Sequence, residues 1–191
     1  MTVIAVDAMG GDGAPAAVVA GAAAAARSGI EVALVGDQAV LAAELVRSGG
    51  APAGLRVVHA ADAIEMGEHA ALEARTRRDS SIYVGVQLVK DGRADAFVSA
   101  GNTGAVFTVA LLSLGRLHGI ERPALGVMLP VPLGATLLID GGANAEVRAS
   151  HLVQFAHLGV GYMRSVMGVA EPTVGLLNIG EEPTKGTHLA I

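Results

Sequence analysis

The sequence predicts an α/β protein built on a doubly wound, mostly parallel sheet with an antiparallel hairpin at one edge. Short apolar runs alternate with longer helix-forming segments, which is the pattern of strands joined by helical crossovers. The apolar runs 125–129 and 135–139 are separated only by residues 130–134, and a link this short forces an antiparallel pair. Aromatic residues make up 3% of the chain and there are 26 Gly, so the core must be built from small aliphatic side chains. Residues 1–191 are expected to form a single α/β domain.

Apolar runs and capping residues place the elements of the first half of the chain. Continuous apolar runs predict buried strands at 3–6, 31–35, 55–58 and 96–98. Helix-forming segments predict helices at 16–27, 39–47, 66–78, 81–90 and 105–117. Pro15 suits a first helical turn, while Asp37 and the pair Asp79-Ser80 are typical caps for the helices that follow them.

The second half continues this pattern and then changes. Beyond the hairpin, a helix is expected at 150–167 and a last strand at 174–177. Residues 183–187 look like a loop leading into another helix, which would begin a crossover with no strand to reach. We therefore expect the domain to be incomplete at its C-terminus.

Composition disfavours several function classes. The net charge of −5 argues against nucleic acid as a partner, and the one basic run, Arg75–Arg78, fits a solvated helix face. There is no Cys, so a disulfide frame and a thiol nucleophile are excluded. The apolar stretches 16–26 and 104–115 are shorter than a bilayer span, and no signal peptide is evident. We expect a cytoplasmic protein whose contact with a membrane, if any, is peripheral.

Several enzyme motifs are missing from the sequence. There is no G-x-S-x-G elbow, no P-loop, and no pair of His with metal-ligand spacing beside a carboxylate. Residues 11–16 fit a loose dinucleotide fingerprint, but Asp12 would put a carboxylate where a pyrophosphate should lie. A tight turn that needs Gly is the favoured interpretation, and a nicotinamide-binding dehydrogenase relative is the weaker alternative. We expect no metal and no cofactor.

Four apolar runs end in turns made of Gly, Asn, Asp and Ser, which are residues 7–12, 99–104, 140–144 and 178–181. The carboxyl ends of parallel strands share one edge of a sheet, where open α/β folds bind small molecules. Backbone N–H groups of such turns, and of the helices after them, hold anions. The sequence therefore predicts an anion site at this edge.

The turn at residues 99–105 is the most specific of the four. Gly101 and Gly104 permit close backbone approach to a ligand, while Ser99, Asn102 and Thr103 offer side-chain donors. The alternative is a plain strand-to-helix turn with Asn102 or Thr103 as N-cap. That alternative explains one polar residue rather than three, so an anion site is favoured.

These turns, in this order, resemble the acyl-acyl-carrier-protein–phosphate acyltransferases of bacterial phospholipid synthesis, the PlsX family. The matching stretches cover essentially the whole chain and are residues 6–12 with Pro15, 34–37, 80–81, 99–105, 119–124, 140–144, 151–154 and 175–181. Members of that family continue well beyond this point. The resemblance implies a three-layer fold similar to phosphate acetyltransferases and isopropylmalate dehydrogenases.

The resemblance also implies a reaction. Inorganic phosphate would attack the thioester of an acyl-acyl carrier protein, giving acyl phosphate and free carrier, and a membrane enzyme would then pass the acyl group to glycerol 3-phosphate. The protein would be a homodimer and need no cofactor. Phosphate is its own nucleophile, so the protein need only orient it and supply donors to the developing oxyanion.

On this reading the catalytic candidates are Ser99, Asn102 and Thr103. The candidates for substrate binding are Gly101, Gly104, Asp7, Gly10, Gly11, Asp12, Asp140, Asn144, Asn178 and Lys185. The three aspartates would repel phosphate, so we expect them to brace the turns through backbone N–H groups or to grip the carrier's pantetheine arm. Lys185 is either a positive charge for the site or a solvated loop residue. A non-catalytic module that binds phosphate or carrier protein is the alternative function.

Overall fold

The computed structural model describes residues 1–132, 134–180, 182 and 184–190. Contacts between residues divide the chain into two compact units, Met1–Gly115 and Arg116–Ile191. That all 191 residues form one domain stays a prediction.

The first unit contains a parallel sheet of four strands. These are β1 (Val3–Asp7), β2 (Glu31–Gly36), β3 (Leu55–His59) and β4 (Ala96–Val98), in the order β3-β2-β1-β4. Val6 lies opposite Leu34 on one side and Val98 on the other. The segments that follow β1 and β4 therefore leave the sheet side by side, at its carboxyl edge.

Five helices belong to this unit. They are α1 (Ala16–Arg27), α2 (Gln38–Arg47), α3 (Ala70–Thr76), α4 (Ser81–Lys90) and α5 (Thr103–Leu114). The Asp37 carboxylate accepts from the Val40 N–H at 2.9 Å and the Ser80 hydroxyl accepts from the Tyr83 N–H at 3.3 Å. Both N-caps predicted from the sequence are confirmed.

Helices cover both faces of the sheet, because both faces are apolar. Val32 and Leu34 pack with residues of α1 and α2 on one side. Ala33 and Val35 pack with Leu88 of α4 on the other. A third cluster joins α3, α4 and α5 through residues such as Ile82 and Val109. The unit is a three-layer α/β structure.

The second unit contains a hairpin and one long helix. Strands β5 (Gly126–Val131) and β6 (Gly134–Ile139) pair antiparallel in a two-stranded sheet, and α6 spans Ala149–Ser165. The predicted α/β class, with a mostly parallel sheet and an antiparallel hairpin, is confirmed.

Three sequence predictions about elements need comment. The helix expected at 66–78 begins only at Ala70, because the carbonyl groups of residues 65, 66 and 68 accept hydrogen bonds from the Asn102 side chain, which lies outside that helix. The strand expected at 174–177 is wrong: these residues pair with no strand in the described part of the chain, and Leu177 is 81% exposed. A loop and a helix were expected after residue 182, and residues 183 and 191 of that stretch lie outside the described residues. Leu133 of the hairpin turn also lies outside them.

In the described part of the chain, no helix is long and apolar enough to cross a membrane.

Candidate functional site

Two glycine turns meet at the carboxyl edge of the sheet. A Cβ built on Gly10 would lie only 2.7 Å from the Gly101 Cα and 2.5 Å from the Asp7 Oδ2. Gly11 has a φ of +99° and lies against Ala100 in the same way. Only glycine at position 10 lets the turn after β1 touch the turn after β4. The structure thus brings together the predicted residues of both turns.

Asp7 and Ser99 hold these two turns in place. Asp7 is 1% exposed, and its carboxylate accepts from the Met9 N–H at 3.0 Å and from the Ser99 hydroxyl at 2.7 Å. The Ser99 oxygen in turn accepts from the Gly101 N–H at 3.0 Å. Asp7 therefore braces the turns, as expected. The Ser99 proton and the Gly101 N–H are used internally, so neither is free for a ligand in this arrangement.

Asn102 begins α5 and also fixes the loop before α3. Its Oδ1 accepts from the Ala105 N–H at 3.1 Å, which is an N-cap. Its amide nitrogen donates to the Glu65 carbonyl at 3.1 Å, with longer contacts of 3.4 Å to the carbonyls of Met66 and Glu68. Asn102 is 6% exposed. Its side chain is therefore saturated by protein groups, and its role as a donor to a ligand stays a prediction.

Arg77 anchors the other side of that loop. Its guanidinium donates to the Ala63 carbonyl and to both oxygens of Glu68, at 2.8 to 3.1 Å. Asp62 and Glu73 lie within 3.4 Å of the same group. Partial desolvation would lower the pKa of Arg77, but the three carboxylates raise it, so the side chain stays charged. Sequence reasoning missed this loop because it treated residues 66–69 as helix.

Unused backbone donors remain at the start of α5. Among the residues that the structure describes, none accepts a hydrogen bond from the N–H groups of Thr103, Gly104, Gly10 or Gly11. Thr103 is exposed and its hydroxyl makes no hydrogen bond within the same set of residues. A Cβ at Gly104 would lie 2.8 Å from the Ala70 Cβ, so the start of α5 packs closely on α3.

These donors can hold a negatively charged oxygen. The first N–H groups of a helix have no intrahelical acceptor, and the helix dipole places about half a positive charge there. The adjoining N–H groups of the glycine turn add to this field. Asp12 is exposed on the same turn and makes no ion pair within the described residues. The N–H groups and the Thr103 hydroxyl therefore suit an anion chemically, and an anion site here stays a prediction.

Asp140 and Asn144 form a separate network in the second unit. The Asp140 carboxylate accepts from the N–H groups of Leu125, Ala143 and Asn144 at 2.8 to 3.1 Å. The Asn144 amide donates to Asp140 and to the Pro123 carbonyl. Burial would raise the pKa of Asp140, but these hydrogen bonds lower it below its usual value. Asp140 braces its turn, and the donors of Asn144 are used internally.

Asn178 and Lys185 lie in an exposed loop of that unit. The Asn178 amide donates to the carbonyls of Gly180 and Lys185, at 3.3 and 2.9 Å. Asn178 does not follow a strand, because no strand forms at 174–177. The Lys185 side chain is exposed and makes no ion pair within the described residues. The expected roles of both residues in substrate binding stay predictions.

The second unit also joins two of the sequence stretches that carry the family resemblance. Glu121 accepts from the His151 Nε2 at 3.1 Å, and its own N–H donates to the Gln154 side chain at 2.7 Å. The His151 Nδ1 accepts from the Arg148 N–H, which leaves the proton on Nε2. His151 is 5% exposed, so this pair fixes residues 119–124 on α6.

Two cavities of the described residues lie away from the glycine turns. One, of about 440 Å³, lies between α3, α4 and α5. A second cavity of about 340 Å³ is apolar and lies beside α1 and β1. No group of three or more His, Asp or Glu side chains in this part of the chain is placed to hold a metal ion. The candidate site is an open rim rather than a deep pocket.

Known structures include a relative of this fold. A phosphotransacetylase from Streptococcus pyogenes matches with a TM-score of 0.60 and 22% identity, covering 81% of this chain and 51% of that one. At this identity the likeness shows the fold alone. It agrees with the phosphate acetyltransferase-like fold expected from the sequence.

Curated relatives are much closer in sequence. A phosphate acyltransferase of Thermus thermophilus is 55% identical over 186 residues, which is 97% of this chain and 56% of that protein. A phosphate acyltransferase of Myxococcus xanthus is 52% identical over 187 residues, covering 96% of this chain and 53% of the relative. The chain thus spans about half the length of these relatives. The model of the fatty acid synthesis protein family matches residues 2–191. On this match and these identities, the chain belongs to the fatty acid synthesis protein family.

Proposed function

We propose that the chain is part of a phosphate acyltransferase of lipid and phospholipid biosynthesis, which makes acyl phosphate from acyl-acyl carrier protein and inorganic phosphate. The observation that supports this most is the set of free N–H groups where the turns after β1 and β4 touch. A phosphate dianion needs donors of this kind, and no metal or nucleotide is required to hold it. The names of the relatives agree with this reaction.

The proposed step is an acyl transfer to phosphate. A phosphate oxygen attacks the thioester carbonyl, the carbon–sulfur bond breaks, and an acyl phosphate forms. The electron pair of that bond leaves with the carrier's sulfur, which takes up the proton given up by phosphate and becomes a thiol. A thiolate is a good leaving group, so alignment and oxyanion donors are the main requirements.

Each residue of the rim has a distinct role in this proposal. The N–H groups of Thr103 and Gly104, with the Thr103 hydroxyl, bind phosphate or the developing oxyanion. The N–H groups of Gly10 and Gly11 border the same space. Asp7, Ser99 and Asn102 are positioning residues, because their polar groups are engaged with the turns themselves.

The partners follow from the reaction. The substrates are an acyl carrier protein and inorganic phosphate, and the product is passed to a membrane glycerol-3-phosphate acyltransferase. The protein acts as a homodimer in the cytoplasm, peripheral to the membrane where its product is used. Asp140, Asn144, Asn178 and Lys185 contribute to the substrate sites of the full-length enzyme.

A turnover assay with matched threonine variants tests the reaction. Acyl-acyl carrier protein and ³²P-labelled phosphate are supplied, and labelled acyl phosphate is extracted and counted. Thr103→Val removes the free hydroxyl and should lower kcat/KM about 10²-fold or more, the usual loss for one oxyanion donor. Thr108→Val is the control: its hydroxyl donates to the Gly104 carbonyl within the same helix, so its rate should stay within about twofold.

Two results would contradict the proposal. If phosphate binds but no acyl phosphate forms, the chain would be a non-catalytic binding module. Equal rates for the two variants would remove Thr103 from the site.

A further inference from the structure

The 440 Å³ cavity between α3, α4 and α5 has a basic rim and an apolar floor. Arg75 and Arg78 lie at the end of α3 and just after it, and Lys90 ends α4. The apolar part of the lining, called the floor here, consists of Val109 and Leu112 of α5, and Leu112 is 57% exposed. The polar residues Gln87 and Ser113 line the same cavity. The surface therefore combines positive charge with exposed hydrophobic area.

The three cations at this rim have no acidic partners among the residues that the structure describes. No carboxylate of the described residues lies within 4 Å of Arg75, Arg78 or Lys90. Arg77, in the same segment, behaves differently, since it contacts three carboxylates. Asp79 and Asp91 neighbour the cations in sequence, but neither lines the cavity. In a chain of net charge −5, this is a local positive patch.

Arg78 is held at the rim by an aromatic side chain. Its guanidinium carbon lies 5.9 Å from the centre of the Tyr83 ring, which is within the range of a cation–π contact. The three cations are all exposed and come from the ends of two helices, α3 and α4. Charges spread in this way match carboxylates spread over a protein surface better than the single charge centre of a small anion.

The patch lies on the same helix pair as the candidate phosphate site. Ala70 of α3 contacts Gly104, and Ala74 lies in one cluster with Val109, so α3 and α5 run side by side in the same direction. Val109 and Leu112 are six and nine positions after Thr103, or about 9–14 Å along the helix axis. One end of this helix pair carries the free N–H groups, and Arg75 and Arg78 lie at the other end, with Lys90 at the end of α4.

We propose that this basic cavity is the docking surface for an acidic protein, and that its apolar floor receives hydrophobic side chains of that partner. This identification of the partner rests on the proposed function: the acidic protein is the acyl carrier protein. Carboxylates of the carrier face Arg75, Arg78 and Lys90, and its thioester-bearing arm runs along α5 to Thr103. The carrier would thus be recognised by one end of the helix pair while chemistry occurs at the other.

Charge reversal with a matched control tests the docking surface. The affinity of the chain for fluorescent acyl carrier protein is measured by anisotropy at two salt concentrations. The variant Arg78→Glu with Lys90→Glu should bind at least about tenfold more weakly and with a smaller salt dependence. The variant Arg27→Glu with Arg93→Glu changes the net charge equally at exposed positions that do not line the cavity, and should bind within about twofold of the unchanged chain.

Equal weakening in the two double variants would overturn the proposal, because only net charge would then matter. Unchanged binding in the cavity variant would overturn it as well. A third result would also overturn it: the unchanged chain binds phosphatidylglycerol vesicles through these residues and does not bind the carrier. Circular dichroism melting curves that match the unchanged chain establish that both variants fold.

A small thioester separates this proposal from the proposed function. Turnover of an acyl N-acetylcysteamine thioester, which lacks a carrier protein, should be equal in the cavity variant and the unchanged chain. A selective loss with this small substrate would place the cations in the chemistry and contradict a docking role. Absence of turnover with either substrate would refute the proposed reaction, while the anisotropy measurement would still decide the docking surface.

Discussion

At the scale of single residues, Asn102 shows how a polar side chain can belong to a site without facing a ligand. From the sequence, a donor to an anion was the favoured interpretation of Asn102, and an N-cap was the alternative. The structure uses its oxygen for the cap and its nitrogen for the loop carbonyls of residues 65–68. No sequence signal announced the second contact, because the loop and the cap are more than thirty positions apart.

Two variants of Asn102 distinguish capping from loop anchoring. Asn102→Ala should reduce the free energy of unfolding by at least about 1–2 kcal/mol, since the cap and the buried loop contacts are both lost. Asn102→Asp keeps an acceptor for the Ala105 N–H but places a carboxylate against carbonyl oxygens, so it should also destabilise. Urea unfolding followed by circular dichroism measures both. An Asp variant as stable as the unchanged chain would show that the loop contacts are unimportant.

Asp140 should titrate below the usual range for Asp. Its folded-state pKa is lowered by hydrogen bonds, against an unfolded value of about 3.9. The carboxylate therefore stabilises the folded state above about pH 4, and this contribution is lost as the pH falls through the lowered pKa. NMR shifts of the Leu125, Ala143 and Asn144 amides should change together, with a midpoint below 3.9. A midpoint at or above that value would refute the bracing role.

At the scale of elements, the contact between the two glycine turns determines whether the rim exists. Gly10→Ala should force the turns apart, because its Cβ would meet the Gly101 backbone at 2.7 Å. The expected results are a loss of about 1–3 kcal/mol in the free energy of unfolding and weaker phosphate binding. Gly21→Ala is the matched control: it lies inside α1 with nothing within 4 Å, and should stabilise by about 0.5–1 kcal/mol. Equal stability of the two variants would contradict the close approach.

Elements with strong local signals could be predicted from the sequence, and those that depend on distant contacts could not. The helix Ala16–Arg27 has the predicted bounds because Pro15 and the Ala-rich run act locally. The helix expected at 66–78 is shorter because Asn102 and Arg77 bind the loop before it. Residues 174–177 have the composition of a strand, but a strand also needs a neighbour with free backbone groups.

The site, too, could be predicted only in part from the sequence. The glycine turns after β1 and β4 were expected at one edge of the sheet, because the carboxyl ends of parallel strands lie there. Which donors are free was not predictable, since it depends on internal bonds such as that between Ser99 and Asp7.

At the scale of the whole molecule, the account requires an anion to bind a chain with a net charge of −5. At 0.1 M salt, the repulsion between an anion and surface charges more than about 10 Å away is largely screened. The attraction between the anion and N–H groups in direct contact with it is not screened in this way. A local cradle therefore outweighs the overall charge. The same reasoning applies to the basic cavity, where three cations lack carboxylate partners within the described chain.

The most direct measurement of this central claim is an NMR titration of the isotope-labelled chain with inorganic phosphate, at constant ionic strength and pH. The account predicts saturable shifts of the Thr103 and Gly104 amides, with smaller shifts at Gly10 and Gly11. Unchanged signals at Thr103 and Gly104, together with saturable shifts elsewhere in the chain, would contradict it.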